Sequence, residues 1–255
     1  MKAKILSNET IAPDYRILTL GAGTAAKKTK PGQFFNIKVN DGDVPLLRRP
    51  FGAHRIGKNT VTILYKIVGP ATRLLAGRKP GGFLDVIGPL GNGFDTGGVK
   101  SAVLAAGGHG VAPLYALAER LLAGGADVTI AIGGRSRSHI VGDGMFKRLG
   151  ARVKVVTEDG SRGTKGLITD ELGRLFAAKK RGQDKTAVIY ACGPNPMLKA
   201  VARFAARNGV NCQLSMEAYL GCGTGLCMGC AVRTVSGRKL VCKDGPVFSG
   251  RELLW

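Results

Sequence analysis

"SAVLAAGGHGVAPLYALAERLLAGG", residues 101–125, sets the architecture of the chain around it. An apolar run from Ser101 to Ala106 stops at glycines, and Leu114, Leu117, Leu121 and Leu122 then recur at helical spacing. Strand, glycine-rich turn and helix in that order begin an alternating pattern. The stretch from Ser101 to Ala118 carries no charged residue, but a proline and "GGHG" interrupt it. A membrane-spanning helix needs about 20 continuous apolar residues, so no span is expected here.

Toward the C-terminus the alternation continues. "DVTIAIGG" (127–134), "RVKVVTED" (152–159) and "TAVIYACGP" (186–194) read as apolar strands, with "GLITDELGRLFAAKK" (166–180) as a helix between two of them. "PNPMLKAVARFAARNG" (194–209) opens with prolines and closes on glycine, which marks a last helix. Strands alternating with helices imply a parallel sheet covered by helices, assigned to residues 96–209.

Toward the N-terminus the rhythm is different. "YRILTL" (15–20), "QFFNIKV" (33–39), "TVTILYKIV" (60–68) and "FLDVIG" (83–88) are short strands separated by Gly, Pro and Asp. Such spacing predicts a small antiparallel β-barrel over residues 1–95, left through the loop "PLGNGF" (89–94). Residues 210–255 are rich in Cys and Gly, fit neither pattern, and read as a small C-terminal module.

A chain of 255 residues has room for this arrangement. Its N-terminus lacks the apolar core of a signal peptide, so a cytoplasmic location is expected. The formal charge of +21 includes clusters at "KKTK" (27–30) and "KKRGQDK" (179–185). A solvated basic surface or an acidic protein partner would account for it. Nucleic acid is not expected, because aromatic residues make up only 6% and no nucleic-acid fold signature accompanies the charge.

The last module holds four of the chain's six cysteines: Cys222, Cys227 and Cys230 in "GCGTGLCMGC" (221–230), and Cys242 beyond them. Disulfides are disfavoured in a chain with no sign of export. Structural zinc prefers two separated C-x2-C pairs, and only one is present. C-x4-C-x2-C with a distal cysteine is the plant-type spacing for a [2Fe–2S] cluster, and the intervening glycines let backbone N–H groups turn toward sulfur. Cys212 reads as a buried strand thiol. Cys192 lies at the carboxyl end of a strand, where parallel sheets place ligands.

Gly107, Gly108 and Gly110 stand between strand and helix, where a pyrophosphate can approach a helix N-terminus. Glu158 and Asp159 end a later strand, and there would accept ribose hydroxyls and repel a 2′-phosphate, which favours NAD. Arg135 and Arg137 in "GGRSRS" argue for NADP instead. In the barrel, Arg49 suits a diphosphate and the backbone around Phe51 suits a flat ring, though these residues alone do not establish flavin.

Taken together, "PGQFFNI", "LLRRPFG", "GPLGNGF", "ACGPNPMLKA", "CGTGLCMGC" and "VCKDGPVF" stand in the order found in one family. Over nearly its full length the chain resembles the ferredoxin-reductase-like electron-transfer subunits of NAD-linked (type B) dihydroorotate dehydrogenases. The resemblance implies FAD on the barrel, contacting Arg49, Pro50, Phe51 and Gly52, then Leu64, Tyr65 and Lys66, then Ala71 and Thr72. It implies NAD on the second domain with Cys192 facing the nicotinamide, and cluster ligation by Cys222, Cys227, Cys230 and Cys242. It further implies a partner FMN-containing catalytic subunit, two copies of each, with electrons passing through the cluster and FAD to NAD⁺. The chain departs from the family at Gly52, where a small hydroxyl residue is usual, at Ala71, where glycine is common, and at His109, which interrupts the glycine loop. A related group, the small subunits of bifurcating ferredoxin–NADP oxidoreductases and sulfide dehydrogenases, shares the "GTGxCxxC" segment and a tail like "RELLW". Cys222 and "VCKDGPVF" favour the dihydroorotate family.

Overall fold

A computed structural model describes residues 1–42, 44–180 and 187–255. Most of the basic cluster "KKRGQDK" therefore lies outside the described residues.

The first part of the chain contains β1 (Lys2–Ala12), β2 (Tyr15–Gly21), α1 (Thr24–Lys28), β3 (Phe34–Lys38), β4 (Arg49–Gly52), β5 (Arg55–Ile56), β6 (Thr60–Lys66), α2 (Pro70–Ala76) and β7 (Phe83–Leu90). Its strands form one antiparallel sheet in the order β4-β3-β7-β1-β2-β6-β5. The edge strands β4 and β5 are separated in sequence only by Ala53 and His54, and β4 packs against β6, so the sheet curls into a barrel. Alternation places Val61, Ile63 and Tyr65 of β6 and Leu18 and Leu20 of β2 inside it. The strand β3 does not alternate. Phe35 and Ile37 fill the barrel, whereas Phe34 joins the core that runs into the cysteine segment, so both faces are covered.

The second part contains β8 (Ser101–Gly107), α3 (Val111–Ala123), β9 (Asp127–Gly134), α4 (Asp143–Arg148), β10 (Arg152–Thr157), β11 (Thr164–Lys165), α5 (Ile168–Lys180), β12 (Val188–Cys192) and α6 (Asn195–Arg207). Then follow β13 (Cys212–Ser215), the hairpin β14 (Ala231–Thr234) and β15 (Gly237–Leu240), and β16 (Val247–Ser249). The second sheet has the order β11-β10-β9-β8-β12-β13-β16 and is parallel except where β16 runs antiparallel to β13. Every residue of β8 is buried, because successive side chains enter opposite cores: Ala102, Leu104 and Ala106 face one set of helices, Val103 and Ala105 the other.

Sequence pattern alone left residues 210–255 outside the sheet, and here the structure differs. The strands β13 and β16 pair Leu214 with Phe248 and extend the second sheet. A strand is expected at Cys212, but strands of three or four residues carry too little periodicity to show which partners they pair with. Among the described residues no helix is long and apolar enough to cross a membrane.

Candidate functional site

The chain leaves β8 toward β9 on one side, and β12 lies on the other, so the strand order reverses between β8 and β12. Ligands bind parallel sheets at the carboxyl ends of the strands flanking such a reversal. Cys192 ends β12 in register with Ala106, and Gly107 to Gly110 turn the chain from β8 into α3. The two ends touch: a Cβ on Gly110 would lie 2.1 Å from the carbonyl oxygen of Cys192, so only glycine fits.

Against this edge the barrel leaves a cleft of about 500 Å³, within the range of ligand pockets. Arg49, Pro50, Phe51, Gly52, Leu64, Tyr65, Lys66, Ala71 and Thr72 all line it, as do Cys192 and His109. Residues far apart in sequence thus meet on one surface, with Phe51 edge-on to Tyr65 at 5.8 Å between ring centroids. Thr72 belongs to the wall because its Oγ1 accepts the N–H groups of Val68 and Gly69 at 2.9 and 3.1 Å, capping α2. Arg49 and Lys66 supply positive charge, and apolar side chains supply most of the rest. A planar ring system carrying a diphosphate fits such walls.

The Cys192 thiol is buried, and burial, followed by the nearby Glu217 carboxylate, pushes it far above the ordinary thiol range. It stays a neutral thiol, suited to contact and not to proton exchange. Glu217 was not anticipated. It follows β13, whose last residue, Ser215, is in register with Cys192, so the chain delivers it to the same edge. Its Oε1 lies 3.4 Å from Nε2 of His109, and that contact raises the imidazole pKa. Recognising β13 as a parallel strand would have pointed to it.

A second groove, of about 660 Å³, lies between the β1–β2 turn and the ends of β9 and β10. Asp159 and Arg137 line it, while Glu158 stands exposed outside it and Arg135 is not part of its wall. Asp159 accepts the Ser161 N–H and O–H at 2.9 and 2.7 Å, which keep its carboxylate ionised.

The four C-terminal cysteines stand as two pairs. The Cys222 Sγ accepts N–H groups from Thr224, Leu226 and Cys227 at 3.3–3.4 Å, and Cys227 Sγ accepts the Cys222 N–H at 3.5 Å. The Thr224 and Cys227 amides pull the Cys222 thiol down to about 5, which favours thiolate. Cys230 Sγ lies 3.3 Å from Cys242 Sγ in a buried position, where desolvation and the neighbouring thiol push Cys242 up to about 12. Among the described residues no three Cys, His, Asp or Glu side chains converge on a single point. Two thiols on each of two irons is the requirement of a [2Fe–2S] cluster, whereas one zinc needs four around one centre. The donor set fits the cluster.

Two family models match the chain. One, the iron–sulfur cluster binding domain of dihydroorotate dehydrogenase B, covers residues 217–254. The other, an oxidoreductase NAD-binding domain, covers residues 104–203. The dihydroorotate dehydrogenase B (NAD(+)) electron transfer subunit of Desulforamulus reducens is 36% identical over 99% of this chain and 97% of its own. The chain belongs to the dihydroorotate dehydrogenase B electron transfer subunit family. The corresponding subunit of Caldanaerobacter subterraneus subsp. tengcongensis is 37% identical over 100% of this chain and 98% of its own. A solved structure of an NADH-dependent reduced ferredoxin–NADP oxidoreductase, studied for flavin-based electron bifurcation, is 29% identical. It superposes with a TM-score of 0.86 and covers 99% of this chain and 90% of its own. Within the dihydroorotate dehydrogenase B family, this chain therefore combines an oxidoreductase NAD-binding segment with an iron–sulfur segment.

Proposed function

We propose that this chain is the NAD-linked electron-transfer subunit of a two-component dihydroorotate dehydrogenase in pyrimidine biosynthesis. It relays electrons from dihydroorotate, oxidised on a partner FMN-containing catalytic subunit, to NAD⁺. The carrying observation is the single cleft in which the barrel, the carboxyl edge of the second sheet and the cysteine-bearing segment meet. Residues 1–95 hold FAD, residues 96–209 hold NAD, and residues 210–255 hold the [2Fe–2S] cluster through Cys222, Cys227, Cys230 and Cys242. When bound, flavin and cluster supply the exchange between two-electron hydride chemistry and single-electron transfer. The protein's part is to hold Arg49 and Lys66 toward the anionic portion of FAD, to line the ring with apolar side chains, and to present neutral Cys192 to the nicotinamide. Gly107, Gly108 and Gly110 admit the NAD pyrophosphate, and Asp159 receives its ribose.

A partner is further supported by the surface beside the cysteines. Tyr219 and Leu226 are 99% and 83% exposed, and Met228 is also exposed. Apolar side chains gathered beside a redox loop suit cover by another subunit. We place the assembly in the cytoplasm with two copies of each subunit.

Reconstitution tests the reading. The purified chain should contain FAD, iron and sulfide, and NADH should bleach its flavin, yet it should not oxidise dihydroorotate. Adding the FMN subunit should restore dihydroorotate-dependent NADH formation. Dihydroorotate oxidation by this chain alone, with NAD⁺ as the only acceptor, would sink the assignment.

A further inference from the structure

Of the two residues that link the barrel's edge strands, Ala53 stays in the barrel core and His54 rests on the second domain. His54 is 2% exposed, and its ring stacks on Tyr115 of α3 with centroids 4.5 Å apart. Its Nδ1 lies 2.9 Å from the carbonyl oxygen of Ala112. A carbonyl only accepts, so Nδ1 carries the proton and Nε2 keeps a lone pair. That Nε2 is buried with no hydrogen-bond partner. An unsatisfied polar atom in a core carries a desolvation cost that calls for a reason.

The neighbouring contacts supply one. A Cβ on Gly52 would lie 3.3 Å from Cβ of Pro113, and Arg55 pairs with Glu119 at 3.0 Å. Gly52, His54 and Arg55 thus touch α3 at successive points from its first turn onward. The corner they form continues β4, which lines the cleft from Arg49 to Gly52, and the first turn of α3 follows the loop Gly107–Gly110. The Ala112 carbonyl belongs to that first turn, so its hydrogen bond joins the wall of one binding site to the loop of the other.

We propose that His54 is a positioning residue that sets the dinucleotide loop against the flavin-lining strand through its Nδ1–H bond to Ala112. A purely apolar side chain would fill the same space without an orphaned nitrogen, but it would remove the directional bond that fixes the first turn of α3 on the barrel corner. Small displacements there carry large kinetic penalties in hydride transfer, because donor and acceptor must meet at near-contact distance.

The inference rests on the reading of the cleft as the meeting place of FAD and NADH, and the test separates the two. His54→Phe keeps a flat ring on Tyr115 and removes the donor, whereas His54→Asn puts an amide N–H near the position of Nδ1. In the holoprotein, His54→Phe should retain FAD and cluster yet slow flavin bleaching by NADH about tenfold. It should also weaken the long-wavelength charge-transfer absorbance of NAD⁺ with reduced flavin, and His54→Asn should recover most of both. Wild-type bleaching and charge-transfer absorbance in His54→Phe would overturn the inference; failure of NADH to bleach the wild-type flavin would instead overturn the reading of the cleft. Should His54→Phe fail to retain FAD, His54→Asn decides: bleaching near the wild-type rate supports the hydrogen bond, and bleaching about tenfold slower refutes it. In the oxidised holoprotein, ¹⁵N-imidazole NMR should show His54 as the neutral Nδ1–H tautomer from about pH 8 to about pH 5. An Nε2–H tautomer would refute the proposal.

Discussion

Cys222 and His54 show how single side chains carry opposite electrostatic settings in one molecule. Backbone amides around Cys222 favour its thiolate before any iron arrives, while Cys242, desolvated against the Cys230 thiol, needs metal charge to lose its proton. Replacing any one of Cys222, Cys227, Cys230 and Cys242 with serine should lower iron and sulfide content. Cys212→Ser, which alters a buried thiol of β13, should not. Intact iron and sulfide after Cys242→Ser would refute the ligand assignment. His54 titrates in the other sense: burial lowers its pKa from 6.5 to about 4. The unfolded chain then takes up a proton that the folded chain refuses, so stability is full above about pH 6.5 and falls as pH drops toward 4. The loss amounts to roughly 3 kcal/mol. Thermal melts across this window should show the decline in the wild type and a shallower one in His54→Phe.

At the scale of elements, we place nucleotide selection at the strand ends. The loops after β9 and β10 build the second groove, and there Asp159 is held ionised by Ser161. Of the two arginines in the groove wall, Arg162 is paired with Asp143 at 2.8 Å, while Arg137 gives its backbone N–H to Ser161, so the preference is set by Asp159 against the guanidinium of Arg137. A 2′-phosphate placed beside Asp159 meets like charge. NADH should therefore bleach the flavin faster than NADPH, and Asp159→Asn should narrow the difference. Stopped-flow absorbance with each nucleotide measures it, and a clear wild-type preference for NADPH would assign specificity to Arg137 instead.

Across the whole molecule, the three segments share their cores. Phe34 of the barrel, Leu214 of the second sheet, Cys230, Cys242 and Phe248 of the last segment belong to one buried cluster. Asn36 of β3 also donates through Nδ2 to the Cys222 carbonyl at 3.3 Å, tying the barrel to the cysteine loop. Loss of one large core side chain should then be felt in more than one segment. Phe248→Ala should cost about 3–5 kcal/mol, and differential scanning calorimetry should show the second sheet and the cysteine segment melting together. A separate low-temperature transition confined to the cysteine segment would contradict this shared core.

Spacing and periodicity in the sequence determined a good deal. The strand–turn–helix at 101–125, the antiparallel strands before it and the cysteine spacing after it each depend on neighbours within a few residues, so local chemistry marks them. The strand β1 and the short strands β4, β5 and β16 were less legible, because their identity comes from the partners they pair with. The predicted flavin residues came from motifs, but that all nine face one cleft with Cys192 and His109 is a product of barrel closure and strand order. Glu217 entered the site only because β13 joins the sheet beside β12, and His54 gained its constraints only because the barrel corner packs on α3. Local pattern is set by backbone geometry and side-chain period along the chain. Which distant ends meet, and which polar atoms are buried together, is set by packing, and only the tertiary structure decides it.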